Sequence, residues 1–136
     1  MQQIDMTALE RMVAAALAED IGDGDLTTRS TIPAGARLHG VFLAKAGGII
    51  AGLDVAREVF RQLDPAVVFT AHVRDGGPLR RGQRFAEVAG PGRALLTGER
   101  TALNFLQRMS GIATATRRYV DAVSGTRAVI LDTRKT

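Results

Sequence analysis

The chain has 136 residues, of which 46% are hydrophobic, so it is long enough to bury one ordinary core. It contains no cysteine, which excludes disulfides and thiolate metal sites. No apolar run approaches the ~18 residues of a membrane span, and the N-terminus lacks the early basic cluster of a signal peptide. We therefore expect a cytoplasmic protein with no membrane partner.

The formal net charge of +4 is spread unevenly along the chain. Residues 1–28 carry six acidic residues and one arginine, for −5, whereas residues 93–136 carry eight basic residues and three acidic ones, for +5. Proteins that bind single-stranded nucleic acid usually interleave basic side chains with aromatic platforms, and this chain has five Phe, one Tyr and no Trp. The basic end therefore favours small anionic ligands, and we expect no nucleic-acid partner.

The N-terminal residues predict an amphipathic helix followed by an acidic loop. An alanine-rich helical pattern covers residues 6–17, Asp5 or Thr7 can cap it, and Gly22 and Gly24 end it. The loop carries the carboxylates of Asp20, Asp23 and Asp25. Magnesium favours such hard oxygen ligands. Because a glycine-rich acidic turn after a helix is adequately explained as a loop, we assign no metal to these carboxylates.

The middle of the chain predicts short strands around one further helix. A strand over residues 38–45 leads through a double-glycine turn towards a helix over residues 53–63. Short strands then alternate with glycine-rich turns over residues 67–88. The only two histidines, His39 and His72, fall in strand-like segments and are interpreted as structural.

Lys45 raises an alternative from another class of protein. It lies between a predicted strand and a glycine turn, which is where a lipoyl acceptor hairpin carries its modified lysine. The chain lacks an acidic residue directly before Lys45, and its C-terminal third is helical. A carrier or binding module is therefore disfavoured.

Residues 94–123 predict the longest helix of the chain. Apolar side chains recur there at spacings of three and four, which indicates one buried stripe. Gly98 and Gly111 each cost about 1 kcal/mol relative to alanine inside a helix, so they either permit close packing or divide the segment. We favour a break or bend near Ser110, and a stop at the Ser-Gly pair that follows the segment.

The C-terminal segment predicts a strand that ends in a polar loop. Residues 128–131 form an apolar run with two β-branched members, which suits a buried strand of a parallel sheet. Ligands gather at the C-terminal ends of such strands, where this sequence places Thr133, Arg134 and Lys135. The two cations therefore indicate an anion site, the alternative being a solvated basic loop or a frayed terminus.

Four blocks of sequence carry a family resemblance. They are EDIGDGDLTT at 19–28, KAGGIIAG at 45–52, GERTALNFLQRMSGIATAT at 98–116 and LDTRKT at 131–136. In this order they resemble quinolinate phosphoribosyltransferase, also called nicotinate-nucleotide pyrophosphorylase (carboxylating). The resemblance covers nearly the whole chain from about residue 18, but it corresponds only to the N-terminal half of such an enzyme.

The resemblance implies an α+β fold in two parts. Residues 1–108 would form an N-terminal α/β sandwich, or hammerhead-like, domain. Residues 109–136 would supply the first helix and strand of an incomplete α/β (TIM-like) barrel. If the barrel stops at that strand, we expect Val129 and Leu131 to be exposed without sheet neighbours.

The resemblance also implies a reaction and its partners. Enzymes of this family transfer phosphoribosyl from phosphoribosyl pyrophosphate to quinolinate with decarboxylation, giving nicotinate mononucleotide, pyrophosphate and CO2 on the de novo route to NAD. They work with Mg2+, whose ligands we expect in the C-terminal half. They form homodimers or higher homo-oligomers in which one subunit's N-terminal domain closes over its neighbour's barrel. The 136-residue chain alone is therefore expected to be an inactive fragment.

The site residues follow from matching the family's motifs residue by residue. Arg134 and Lys135 should meet the quinolinate carboxylates, with Thr133 alongside. Arg100 matches the arginine that reaches across the dimer into the partner's site. Without the resemblance, Arg100 is better explained as a surface ion pair with Glu99 or with a neighbouring helix. No catalytic general base is assigned, because the ring nitrogen of quinolinate would itself be the nucleophile.

Two alternatives remain beside the main interpretation. Molybdenum-transport-associated homologues of this enzyme share its architecture and its threonine-arginine-lysine motif. Asp132 before that motif, together with the intact Gly98-Glu99-Arg100 sequence, favours the quinolinate enzyme. The other alternative is a non-catalytic module that dimerises or binds through its N-terminal domain.

Overall fold

The computed structural model describes residues 5–22, 24 and 26–133. These residues form the helices α1 (Met6–Ile21), α2 (Leu26–Thr31), α3 (Leu53–Leu63) and α4 (Gly92–Ala122). The strands are β1 (Arg37–Leu43), β2 (Gly48–Ile49), β3 (Val68–Ala71), β4 (Pro78–Leu79) and β5 (Arg84–Pro91). The predicted α+β class is confirmed. No helix of the described segments is long and apolar enough to cross a membrane.

An antiparallel sheet with the strand order β1-β5-β3 carries the main core. Its register pairs Phe42 with Ala86 and Phe69 with Val88, so these side chains share one face. Helix α3 packs on that face, where the ring centroid of Phe60 lies 6.3 Å from that of Phe42 and 6.2 Å from that of Phe69. Strands β2 and β4 form a separate two-stranded sheet.

Helix α1 begins where the sequence predicts. Asp5 Oδ1 accepts hydrogen bonds from the backbone N–H groups of Thr7 at 3.0 Å and Ala8 at 3.2 Å, which confirms the predicted cap. The helix buries one stripe of residues spaced four apart, namely Leu9, Val13 and Leu17. It continues beyond the predicted end to Ile21, and Gly22 then takes a positive φ of 52°.

The side chains that bind a buried carboxylate of α3 also join this helix to α1. Glu58 is 3% exposed, and its carboxylate accepts from Arg61 Nε at 2.6 Å, Arg61 Nη2 at 2.7 Å and Gln62 Nε2 at 2.8 Å. Arg61 Nη2 also donates to Glu10 Oε1 of α1 at 3.1 Å. The hydrogen bond from Arg61 lowers the pKa of Glu58 more than burial raises it. Glu58 is thus held ionised against the core.

Helix α4 runs without interruption from Gly92 to Ala122, so the predicted break near Ser110 is wrong. The hydroxyl of Ser110 accepts from the backbone N–H of Ala51 at 3.0 Å, and Thr114 Oγ1 accepts from the N–H of Ile49 at 2.8 Å. These bonds tie the middle of α4 to β2 and to the residues that follow it. The helix therefore continues, with tertiary contacts beside it, through the position where its local sequence favours a break.

The predicted buried strand at 128–131 is also wrong. Residues 126–133 contain no strand, and the side chains of Val129 and Leu131 are 75% and 78% exposed. A strand requires a hydrogen-bonded neighbour, and within residues 5–22, 24 and 26–133 no segment pairs with this one. The expected exposure of Val129 and Leu131 is confirmed.

Gly98 and Gly111 of α4 should respond oppositely to alanine. A Cβ at Gly98 would lie 2.7 Å from Leu63 Cδ1 and 3.1 Å from the ring of Phe60, whereas a Cβ at Gly111 meets nothing within 4 Å. We expect Gly98→Ala to destabilise the fold by about 1 to 2 kcal/mol, because overpacking outweighs helix propensity. Gly111→Ala should stabilise it by about 0.5 to 1 kcal/mol. Urea unfolding of both variants measures the free energy of unfolding. An equal increase in this free energy at both positions would contradict the prediction.

Glu58→Gln should change how stability depends on pH. The pKa of Glu58 is lower in the folded state than its ordinary value of 4.5. The ionised carboxylate therefore contributes fully to the free energy of unfolding above pH 4.5, and this contribution is lost as the pH falls through the folded-state pKa. We expect Glu58→Gln to be less stable than wild type at pH 7, with the difference shrinking below about pH 4.5. Glu10→Gln removes an exposed carboxylate from the same Arg61 and should show little of this dependence. Thermal unfolding between pH 3 and 7 provides the measurement.

Candidate functional site

A charged cluster joins the N-terminal half of α4 to the C-terminal end of α1. Arg100 Nε lies 2.7 Å from Asp20 Oδ1, and Arg100 Nη2 donates to the backbone oxygen of Asp20 at 3.3 Å. The hydroxyl of Thr101 donates to Asp20 Oδ2 at 3.1 Å. Both carboxylate oxygens of Asp20 are therefore bound by consecutive residues of α4.

The cluster is buried on one side and open on the other. Thr101 is 4% exposed, whereas the side chain of Arg100 is 71% exposed and that of Asp20 is 21% exposed. Successive residues of an α-helix are about 100° apart, so Thr101 faces the packed side of α4 while Arg100 lies at its rim. A ligand can therefore approach Arg100 from solvent without displacing the core.

An open cleft of about 500 Å³ lies beside the cluster, between α1 and α4. Arg100, Asn104 and Arg108 line it from α4, and their spacing of four places them on one helix face. Two guanidinium groups and an amide on one face can bind a planar oxyanion through several donors. Glu19 and Asp20 line the cleft from α1, and their negative charges offset those of the two arginines.

The structure locates only part of the predicted site. Arg100 forms the ion pair with a neighbouring helix that the sequence offered as its alternative role, and its partner is Asp20 instead of Glu99. Thr133 lies exposed after the end of α4. The predicted Arg134 and Lys135 fall outside the described residues. Whether these residues meet Arg100 in one site is therefore still a prediction.

The acidic loop is accounted for in part. Asp20 is engaged by Arg100 and Thr101, while Asp23 and Asp25 lie outside the described residues. Among the residues described, no group of three or more His, Asp and Glu side chains is arranged to hold a metal ion.

Sequence reasoning missed the partnership of Asp20 with Arg100 and Thr101, as well as the cleft residues Asn104 and Arg108. The spacing of four along α4 was available as a signal for a shared face. Nothing local could indicate Asp20, since 80 residues separate it from Arg100. Contacts at that separation arise only when the two helices pack.

The two histidines converge on one carboxylate, away from the α1–α4 cleft. His39 Nε2 lies 2.9 Å from Glu87 Oε2, and His72 Nε2 lies 3.3 Å from Glu87 Oε1. Glu87 alternates with Ala86 and Val88, so this trio lies on the sheet face opposite α3. All three side chains are partly exposed.

Comparisons with known proteins agree with the resemblance in the sequence. The family model described as quinolinate phosphoribosyl transferase, N-terminal domain, matches residues 25–110. The chain is 42% identical over 129 residues to quinolinate phosphoribosyltransferase (decarboxylating) 1b of Nicotiana tabacum, covering 94% of this chain and 36% of that protein. It is 44% identical over 137 aligned positions to nicotinate-nucleotide pyrophosphorylase (carboxylating) of Mycobacterium leprae, covering 97% of this chain and 48% of that protein.

Solved structures give the same result for the fold. NadC from Streptococcus pyogenes superposes with a TM-score of 0.95 at 37% identity, covering all of this chain and 48% of that one. The nicotinate-nucleotide pyrophosphorylase from Francisella tularensis superposes with a TM-score of 0.91 at 35% identity, covering 98% of this chain and 48% of that one. The chain thus spans between about a third and a half of the length of these relatives. It belongs to the quinolinate phosphoribosyltransferase family, of which it carries the N-terminal domain.

Proposed function

We propose that this chain works as the N-terminal half of a quinolinate phosphoribosyltransferase. Such an enzyme transfers phosphoribosyl from phosphoribosyl pyrophosphate to quinolinate with decarboxylation, which yields nicotinate mononucleotide, pyrophosphate and CO2 for NAD biosynthesis. The observation that carries the proposal is the match of the N-terminal domain to residues 25–110. The relatives named above support the quinolinate enzyme over a molybdenum-transport-associated homologue, because their names describe quinolinate phosphoribosyltransferases and nicotinate-nucleotide pyrophosphorylases.

The proposed substrate explains why the site needs arginine. Quinolinate is a planar dicarboxylate, and the fixed fork of a guanidinium can grip one of its carboxylates through two parallel hydrogen bonds. Arg100 is exposed at the rim of the α1–α4 cleft, where a substrate can reach it. In this proposal Arg134 and Lys135 bind quinolinate from the barrel side, with Thr133 alongside.

The chemical step makes a separate demand for positive charge. Cleavage of the ribosyl–pyrophosphate bond passes through an oxocarbenium-like centre, and positive charge near the departing pyrophosphate stabilises the transition state. The quinolinate ring nitrogen attacks that centre, so no general base is required of this chain. The contribution of the chain is therefore to bind and orient the anionic substrate.

The family implies Mg2+, which would neutralise charge on the pyrophosphate. Among the described residues, no group of three or more His, Asp and Glu side chains is arranged to hold a metal ion. We propose that the magnesium ligands lie in the C-terminal half of the enzyme. No step assigned to this chain depends on the metal.

The proposal includes a shared site in a homodimer or higher homo-oligomer. Arg100 would reach into the site of the partner subunit, since its side chain is 71% exposed at the rim of the α1–α4 cleft. We also propose a cytoplasmic location on grounds of composition, although the rice and Arabidopsis relatives are named as chloroplastic forms.

The proposed activity can be tested directly on the full-length protein. The full-length protein should release pyrophosphate only when quinolinate and phosphoribosyl pyrophosphate are both present, and residues 1–136 alone should release none. A coupled pyrophosphate assay with nicotinate as the control substrate measures this. Equal release with nicotinate, or none with quinolinate, would contradict the proposed function.

Arg100→Ala should lower turnover of the full-length enzyme by about 10² to 10³, as loss of one charge-stabilising donor does. Arg81→Ala is the matched control, because Arg81 is an exposed arginine in the turn between β4 and β5. Steady-state kinetics with both substrates provide the measurement. Wild-type turnover in Arg100→Ala would exclude the substrate role.

Mixed dimers test the shared site. When an Arg100→Ala subunit pairs with an Arg134→Ala subunit, one of the two sites carries both defects and the other carries neither, so about half of the wild-type activity should return. Dimers of either single variant should be nearly inactive. Failure of the mixed dimer to recover activity would show that Arg100 does not serve the partner's site.

A further inference from the structure

The hydrogen bonds of Arg100 leave one edge of its guanidinium group uncommitted. A guanidinium carries five N–H groups. In the described part of the chain, Arg100 donates from Nε and from Nη2, and both bonds end on Asp20. The N–H groups directed away from Asp20 lie on the edge formed by Nη1 and Nη2. That edge matches the spacing of two carboxylate oxygens.

The place of Asp20 in α1 argues against a purely structural role. It lies in the last turn of α1 (Met6–Ile21), where the helix dipole disfavours a carboxylate. At a helix C-terminus, a neutral or basic side chain stabilises the helix more than a carboxylate does. Arg100 compensates for this position, since it brings a cation to the helix terminus and binds the backbone oxygen of Asp20.

Thr101 limits the movement of the Asp20 carboxylate. Its buried hydroxyl donates to Oδ2 at 3.1 Å while Arg100 holds Oδ1. Because Arg100 and Thr101 are neighbours on α4, the carboxylate is fixed relative to the same helix turn that carries the arginine. The guanidinium is thereby restricted to a narrow range of orientations at an otherwise exposed site.

We propose that Asp20 is a positioning residue, which holds Arg100 by its Nε side so that the Nη1–Nη2 edge is presented to one carboxylate of a planar pyridine dicarboxylic acid. The inference rests on the proposed function and assigns Asp20 a part in substrate recognition. Without Asp20, the long side chain of Arg100 would have to lose its rotamer freedom when substrate binds. The cost should appear as weaker binding of the dicarboxylate alone.

The test uses the full-length enzyme with Asp20→Asn. We expect the KM for quinolinate to rise about 3- to 10-fold, the cost of ordering one long side chain. The KM for phosphoribosyl pyrophosphate should stay near its wild-type value, and kcat should fall far less than in Arg100→Ala, because the guanidinium itself is still present. Asp54→Asn is the matched control, since it removes the charge of another exposed aspartate that pairs with an arginine. Asp54 and its partner Arg57 both lie on α3, so this variant should leave both KM values unchanged. A merely structural role for Asp20 would affect both substrates equally and would overturn the inference.

A double variant separates this inference from the proposed function. If Asp20 acts through Arg100, adding Asp20→Asn to Arg100→Ala should cause no further rise in the quinolinate KM. Additive losses, or a normal KM in Asp20→Asn while Arg100→Ala is impaired, would overturn the positioning role and leave the proposed function intact. Wild-type kinetics in Arg100→Ala would overturn both the substrate role of Arg100 and this inference.

Thr101→Val provides a second variant in case Asp20→Asn does not fold. Valine keeps the shape of threonine but cannot donate to Asp20 Oδ2. We expect a smaller rise in the quinolinate KM, about 2- to 3-fold, because only one of the two restraints on the carboxylate is lost. An unchanged KM in Thr101→Val would overturn the proposed path from Thr101 through Asp20 to Arg100.

Discussion

The close approach of α4 to α3 at Gly98 is the contact on which the candidate site depends. A Cβ at this position would lie 2.7 Å from Leu63 Cδ1, so only glycine lets the two helices come this near without rearrangement. Phe60 of α3 also packs on the sheet, which fixes α4 relative to both layers. Thr101 follows Gly98 by almost one helix turn and reaches Asp20 from that position. A glycine in the core therefore helps to place the turn of α4 that carries Arg100 and Thr101.

Elements with local signals could be predicted from the sequence, whereas those that depend on distant partners could not. The cap at Asp5 is correct because the capping oxygen lies only two and three residues from the N–H groups it accepts from. The helix over 53–63 is correct because its stop signal, Asp64 followed by Pro65, lies directly after its last residue. The predicted break in α4 is wrong, and Ser110 instead binds the backbone of Ala51, 59 residues away. The buried strand at 128–131 fails for the related reason that strand character requires a pairing partner.

In the candidate site, too, the sequence identifies a residue that belongs to a local motif but not its partner from a distant part of the chain. Arg100 stands out in the sequence only through the family motif, since an arginine on a helix surface is most often a solvated ion pair. The local sequence offered Glu99 as its nearest anion, and the structure instead supplies Asp20 from the end of α1. Sequence could therefore identify the cation but not the group that orients it. That group becomes visible only once α1 and α4 are packed together.

The ion pair of Arg100 and its proposed role in substrate binding are compatible on physical grounds. An exposed ion pair contributes little free energy, so Asp20 does not hold Arg100 so strongly that a second carboxylate is excluded. Asp20 also offsets the charge that Arg100 and Arg108 place on one face of α4, which lowers their mutual repulsion before an anion arrives. Thr101 also anchors the carboxylate from the buried side, which restrains it independently of Arg100. A weak pair with fixed geometry is thus better suited to presenting an arginine than a strong pair would be.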